Sequence, residues 1–107
     1  MKIYCGSRAN GKTMKAIQLS VEKQMPIICF NYYHKQYIEH RAYEIGVKDK
    51  MPEPILALEA GRKVIGNRKG LIVDDLDNIL RAMFNDNVYY ATITEDCEVE
   101  KLERSDT

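Results

Sequence analysis

A glycine-rich segment close to the N-terminus constrains this chain more than any other feature. Residues 6–13 read Gly-Ser-Arg-Ala-Asn-Gly-Lys-Thr, which matches the pattern G-x-x-x-x-G-K-[ST] at every fixed position. The preceding residues, 2–5, have the composition of a short strand, and Met14, Ile17 and Val21 then recur at helical spacing. This order predicts an α/β fold in which the glycine loop connects a strand to a helix.

The loop predicts a binding site for the phosphates of a nucleoside triphosphate. Backbone N–H groups that point inward from a tight loop bind polyphosphate, and the positive end of the following helix adds to the attraction. Glycine permits backbone angles and close approaches that a Cβ would forbid. Lys12 is expected to reach the β- and γ-phosphates, and the Thr13 hydroxyl is expected to bind Mg²⁺. The predicted nucleotide-binding residues are Gly6, Ser7, Arg8, Ala9, Asn10, Gly11, Lys12 and Thr13, with Arg8 facing solvent.

Length and charge limit the remaining choices. The 107 residues suffice for one domain with a real core, although this is small for a nucleotide-hydrolysing fold. Sixteen basic and sixteen acidic residues balance, so the overall charge does not favour a nucleic-acid partner. No apolar run is as long as a membrane span, and Cys5, Cys29 and Cys97 match no metal spacing. We expect a cytoplasmic protein that does not contact membranes and whose thiols are reduced and buried.

Strand and helix patterns alternate along the chain. Residues 26–31 form an apolar run typical of a parallel strand covered on both faces, and Ile38, Ala42 and Ile45 lie on one stripe of a helix predicted at 34–45. The other predicted elements are a short helix at 55–60, a buried strand at 71–75, a helix marked by Leu76, Ile79, Leu80 and Met83, and a fourth strand at 88–94.

This alternation predicts an α/β domain over residues 1–94. We expect a mostly parallel sheet of about four strands with flanking helices. Residues 95–107 are rich in acid and poor in apolar side chains, so an acidic tail that is solvated or frayed is expected there.

The strand predicted at 71–75 ends in two aspartates. Mg²⁺ held by Thr13 and the phosphates needs a carboxylate in its outer shell, and we assign this role to Asp74, which directly follows the apolar run. Asp75 is a candidate to position or deprotonate the attacking water. An aspartate in this place is also a common helix N-cap, and this simpler role for Asp75 stays open.

The loop at 6–13 together with residues 71–75 resembles the Walker A and Walker B motifs of P-loop nucleoside triphosphatases. The resemblance implies a three-layer fold, with ATP and Mg²⁺ as ligands and with Lys12 and Asp75 as catalytic residues. ATP is favoured over GTP only because the sequence has no Asn-Lys-x-Asp segment of the kind that reads guanine.

Residues 89–94 are similar to the polar-ended sensor strand of the additional-strand class, which includes the AAA and RecA-like ATPases. This makes Thr92 and Thr94 sensor candidates.

The brevity of the chain and its loop sequence also resemble small P-loop proteins of phages and mobile elements of Gram-positive bacteria. The chain departs from the pattern because Asp75 replaces the usual glutamate, and because Met14 follows the loop where a second hydroxyl is frequent. The resemblance therefore implies nucleotide binding more firmly than hydrolysis.

Two further groups of residues have alternative interpretations. The side chains that follow the second strand either approach a nucleotide or substrate, or cap the helix and pack their rings. The basic cluster is either a solvated loop, a contact for a phosphate of nucleic acid, or a source of an arginine that acts in a neighbouring copy, for which Arg62 and Arg68 are candidates. The first group is Asn31, Tyr32, Tyr33 and His34, and the second is Arg62, Lys63, Arg68 and Lys69.

Three functional classes remain open from the sequence. The first is an ATPase or switch that acts on a protein or nucleic-acid partner, alone or as a homo-oligomer. The second is a small-molecule or nucleotide kinase, because the strand, the loop and residues 31–33 also resemble thymidine kinase, although the zinc-binding cysteines of that family are missing. The third is a degenerate fold that keeps the loop and acts as a binding or inhibitory protein.

Overall fold

A computed structural model of the chain describes residues 1–7, 11–60 and 70–102. In these ranges short strands alternate with helices, and every strand pair is parallel, as expected for an α/β protein. Arg8, Ala9 and Asn10 of the loop lie outside the described residues, as does the basic cluster with Arg62 and Arg68. The elements are β1 Lys2–Cys5, α1 Lys12–Lys23, β2 Ile27–Cys29, α2 Tyr32–Glu44, a single 3-10 turn at Lys48–Lys50, β3 Ile55–Leu56, α3 Ala57–Ala60, β4 Ile72–Val73, α4 Leu76–Phe84 and β5 Glu98–Lys101.

The described strands form two small sheets, where one sheet of about four strands was expected. In the larger sheet β2 lies between β3 and β4, with Ile28 opposite both Ile55 and Val73. In the smaller sheet β1 pairs with β5, and Ile3 lies opposite Val99. Because β2 and β4 are parallel neighbours, the residues that follow them meet at the same edge of the sheet.

The core forms on both faces of β2. Successive side chains of a strand point to opposite faces, so Cys29 and Ile28 enter different clusters. Cys29 packs with Ile17 of α1 and Ile38 of α2. On the other face Ile28 packs with Ile79 of α4 and with α3. This two-sided burial explains why residues 26–29 read as one continuous apolar run.

The fourth strand predicted at 88–94 is not formed. The segment from 87 to 94 contains neither helix nor strand, and Tyr90 is 94% exposed. Aromatic and β-branched residues are favourable in a strand only when a neighbouring strand and a packing surface are present. No described backbone group pairs with residues 88–94 as a strand would. A strand-like composition was therefore not sufficient to form a strand.

Part of the C-terminal segment, which was expected to be solvated or frayed, pairs as a strand while its side chains stay exposed. Residues Glu98–Lys101 form β5 along β1, and this pairing is bounded by hydrogen bonds from Glu98 N to Met1 O and from Leu102 N to Cys5 O. The four side chains of β5 are exposed, and Lys2 forms ion pairs with Glu98 and Glu100. Backbone pairing with β1 orders a segment that has no apolar face to bury.

Other expectations differ in detail. The strand at 71–75 was expected to be buried, yet only Ile72–Val73 is a strand and Val73 is 42% exposed. Residues 55–56 belong to β3, so the short helix predicted at 55–60 begins only at residue 57. Cys29 is buried as expected, whereas Cys5 is exposed. None of the helices in the described ranges is long and apolar enough to cross a membrane.

Candidate functional site

The first turn of α1 has the features expected where a phosphate-binding loop enters a helix. Gly11 precedes the helix with φ 72° and ψ 27°, a left-handed conformation that glycine adopts readily. A Cβ at Gly11 would meet no described atom within 4 Å, and the positive φ is the observed reason for glycine here. No described side chain caps the first turn of α1. The N–H groups of this turn therefore remain available to an anion.

Lys12 contacts the first residue of the glycine motif. Its ammonium group donates to the backbone carbonyl of Gly6 at 3.1 Å, so the two fixed ends of the motif are in contact. This bond holds the lysine side chain beside Gly6, and no carboxylate among the described residues is its hydrogen-bond partner.

The Thr13 hydroxyl lies 2.9 Å from Oδ2 of Asp74 and donates to it. The two residues are 61 positions apart and come from the first turn of α1 and from the end of β4. Asp74 is only 4% exposed, and burial of a carboxylate is unfavourable unless polar partners compensate it. The structure therefore brings together the two residues that the sequence analysis assigned to Mg²⁺.

His34 is a third member of this cluster, and the sequence analysis considered it only as a residue that approaches a nucleotide or substrate or that packs at the helix start. Its Nε2 lies 3.0 Å from the same oxygen, Oδ2 of Asp74, and both side chains are buried. His34 belongs to the first turn of α2, where its backbone N–H donates to the Asn31 side chain that caps the helix. Its ring stacks on Phe30 with centroids 4.1 Å apart. The capping and ring packing considered for this segment are thus present, and a contact with Asp74 is added to them.

The hydrogen bonds of His34 define its tautomer. The backbone N–H of Phe30 donates to Nδ1 at 3.1 Å, so Nδ1 acts as an acceptor and carries no hydrogen. The hydrogen of the neutral ring is then on Nε2, from which it is donated to Asp74. Asp74 Oδ2 therefore accepts two hydrogen bonds, from Thr13 and from His34. In the part of the chain that the structure describes, no hydrogen bond reaches Oδ1 of Asp74.

Asp75 lies at the N-cap position of α4, but its side chain makes no capping bond to the described backbone. Its carboxylate accepts from Nδ2 of Asn78 at 2.8 Å, and its φ of 63° is left-handed. Aspartate tolerates this conformation better than most residues, and such conformations concentrate at functional sites. The side chain is exposed next to the buried Asp74 and is open to water.

The donor set around Asp74 suits Mg²⁺ bound together with a nucleotide. Among the described residues no group of three or more His, Cys, Asp or Glu side chains is able to hold a metal. A cation here would have the Thr13 hydroxyl and the Asp74 carboxylate as protein ligands, in its inner or outer shell. Mg²⁺ commonly binds through one or two protein oxygens while water and phosphate complete its shell. The hydroxyl and carboxylate oxygens fit this mode, and the described residues here do not form the cysteine and histidine set typical of a zinc centre.

The charge of Asp74 also affects Cys29. Burial raises the pKa of the Cys29 thiol to about 12, and the negative charge of Asp74 contributes in the same direction. Cys29 therefore remains a neutral packing residue beneath the site.

Several of the other predicted site residues that the structure describes are exposed. Thr92 and Thr94, the sensor candidates, are exposed in the segment without secondary structure, and no described side-chain hydrogen bond joins them to Asp74. Tyr32 and Tyr33 are exposed on α2, beside the buried His34. Ser7 of the loop is exposed as well.

A signal for His34 existed in the sequence. The residues after β2 and β4 meet at one edge of a parallel sheet, and a histidine in the first turn of the helix after β2 lies close to that edge. The pairing of β2 with β4 was needed to recognise it.

The chain matches no protein family, no curated protein and no solved structure.

Proposed function

We propose that this chain binds a nucleoside triphosphate, by preference ATP, together with Mg²⁺. We further propose that it hydrolyses the nucleotide slowly, as a small P-loop ATPase or switch that acts on a protein or nucleic-acid partner. The observation that carries the proposal is the 2.9 Å hydrogen bond between Thr13 and Asp74. It joins the end of the glycine loop to the end of an apolar strand, the two places from which a P-loop site draws its cation ligands. Helices on both faces of β2 support the three-layer arrangement that the proposal requires.

Each residue has a defined task in the proposed reaction. The N–H groups that begin α1 would bind phosphate oxygens, and Lys12 would exchange the Gly6 carbonyl for oxygens of the β- and γ-phosphates. Thr13 donates its hydrogen to Asp74 and so keeps its lone pairs for the cation. Bound Mg²⁺ would neutralise the charge that develops on the phosphates. Asp75, exposed next to Asp74, would orient or deprotonate the attacking water.

Calorimetric titration with ATP, in Mg²⁺ and in EDTA, tests the proposal. Lys12→Ala should abolish binding in both conditions because it removes a charge-assisted contact to phosphate. Asp74→Asn should weaken binding of Mg²⁺-ATP and spare that of metal-free ATP. Lys23→Ala, in the last turn of the same helix, and Asp77→Asn, in the first turn of α4, are matched controls and should bind like the parent. Undiminished ATP binding by a folded Lys12→Ala protein would reject the proposal.

Incubation with γ-labelled ATP then separates the functional classes. Release of free phosphate supports the ATPase, and label on an added acceptor supports a kinase. Binding without transfer of the label supports a non-catalytic binding protein.

A further inference from the structure

The cluster around Asp74 uses its two carboxylate oxygens unequally. Oδ2 accepts from Thr13 at 2.9 Å and from His34 at 3.0 Å. Oδ1 receives no hydrogen bond in the described ranges, although the side chain is buried. A buried carboxylate oxygen that lacks a donor is unfavourable unless a cation or a water molecule approaches it. Among the described contacts, Oδ1 is therefore the oxygen of Asp74 that has no hydrogen-bond donor.

His34 is itself held in place from three sides. The Phe30 N–H group bonds to Nδ1, the Phe30 ring stacks on the imidazole, and the helix cap at Asn31 fixes the backbone of His34. Because Nδ1 is an acceptor, Nε2 carries the hydrogen and presents it in one direction, toward Oδ2. Rotation of the carboxylate out of its present plane would break the bonds from Thr13 and His34 together, so the two donors fix its orientation.

We infer that His34 is a positioning residue for the cation site: it holds Oδ2 of Asp74 so that Oδ1 is the oxygen offered to Mg²⁺ or to its bound water. The inference rests on the proposed function and adds to it the residue that orients the carboxylate. Hydrogen-bond partners of metal-binding carboxylates orient them in this way, and their loss commonly lowers metal affinity by about 10- to 100-fold.

Two substitutions separate the contacts of His34. In His34→Gln the amide nitrogen takes the place of Nε2, so the donor to Asp74 is kept and the acceptor for the Phe30 N–H is lost. In His34→Asn the amide oxygen takes the place of Nδ1, so the acceptor is kept and the donor to Asp74 is lost. His40→Gln is the matched control, because His40 lies on the same helix, is exposed and pairs with Glu44, its one partner among the described residues.

The measured quantity is the ratio of ATP affinity in Mg²⁺ to ATP affinity in EDTA. His34→Asn should lower this ratio by about tenfold without changing the affinity for metal-free ATP. His34→Gln should stay within about threefold of the parent, and His40→Gln should match the parent. Equal ratios in all three variants, or an equal loss in both His34 variants, would assign His34 to packing alone and overturn the inference.

Nitrogen-15 NMR of the histidine rings of the parent keeps the inference testable if a variant fails to fold. His34 should show a protonated Nε2 and an unprotonated Nδ1, and addition of Mg²⁺-ATP should shift its Nε2–H resonance while His40 stays unchanged. The opposite tautomer, or a His34 ring that does not respond to Mg²⁺-ATP although the parent binds it, overturns the inference. If the parent binds no ATP, the proposed function and the inference are both rejected. If the parent binds ATP in a metal-dependent way and the His34 variants have the same affinity ratio as the parent, the inference alone is rejected.

Discussion

At the scale of single residues, Asp74 connects parts of the chain that are far apart in sequence. It accepts hydrogen bonds from Thr13, 61 positions away, and from His34, 40 positions away. Two donors on one oxygen offset much of the cost of burying the carboxylate. The same charge adds to burial in raising the pKa of Cys29. The buried carboxylate therefore organises the site and also influences the core below it.

The Cys29 thiol makes stability depend on pH in alkaline solution. Its pKa is about 12 in the folded chain, against 9.0 for an ordinary thiol. The unfolded chain loses the proton first, so the contribution of Cys29 is complete below pH 9 and is lost as pH rises toward 12. In that window the parent should lose about 1 kcal/mol per pH unit more than Cys29→Ala. Urea unfolding between pH 8 and 11 measures this difference, and Cys5→Ala should keep the parental slope because Cys5 is exposed.

At the scale of elements, strand pairing and strand composition disagree at the C-terminal end. Residues 88–94 have strand-forming side chains and are not a strand, whereas 98–101 read Glu-Val-Glu-Lys and form β5. β1 provides a parallel partner for β5, and ion pairs from Lys2 accompany the pairing. Such exposed ion pairs contribute little, so the backbone hydrogen bonds are the principal reason for β5.

Amide hydrogen exchange should show the opposite of the protection pattern that residue composition alone would suggest. The amides of Glu98 and Leu102 donate to Met1 and Cys5 and should be protected. The amides of residues 88–94 donate no described hydrogen bond and should exchange close to the rate of an unstructured peptide. Exchange measured by NMR at single residues tests this pattern, with the amides in the middle of α1 as the protected reference. Strong protection across 88–94 would contradict it.

At the scale of the whole molecule, two apolar clusters lie on opposite faces of β2. Ile17 belongs to the cluster of α1 and α2, and Ile79 belongs to that of α3 and α4. In α4 only Ile79 is fully buried, while Leu76, Met83 and Phe84 are exposed. Much of the apolar surface of α4 therefore faces solvent.

Substitutions in the two clusters should lower the same unfolding transition, because β2 is shared by both. Ile17→Ala and Ile79→Ala should each destabilise the protein by about 2–5 kcal/mol. Met83→Ala, on the exposed side of α4, should change stability by less than about 0.5 kcal/mol. Urea unfolding followed by circular dichroism measures all three. Separate transitions for the Ile17 and Ile79 variants would show that the two faces unfold independently, contrary to this expectation.

The sequence by itself determined the features that depend on local patterns. The glycine at position 11, the apolar run at 26–29 and the helix marked by Met14, Ile17 and Val21 follow from residue type and spacing over a few positions. The apolar run before Asp74 likewise predicted a strand end that carries a carboxylate. The parallel α/β class followed because continuous apolar strands alternate with helical patterns.

Only the tertiary structure decided which of these elements meet. The pairing of β2 with β4 brings His34 to Asp74, and no local pattern encodes a contact between residues 40 positions apart. The choice of β5 over residues 88–94 as a strand depends on which edge is available for pairing, not on β-propensity, which chiefly reflects packing. The left-handed backbone at Asp75 belongs to the same class, because the surrounding fold and not the residue type selects it.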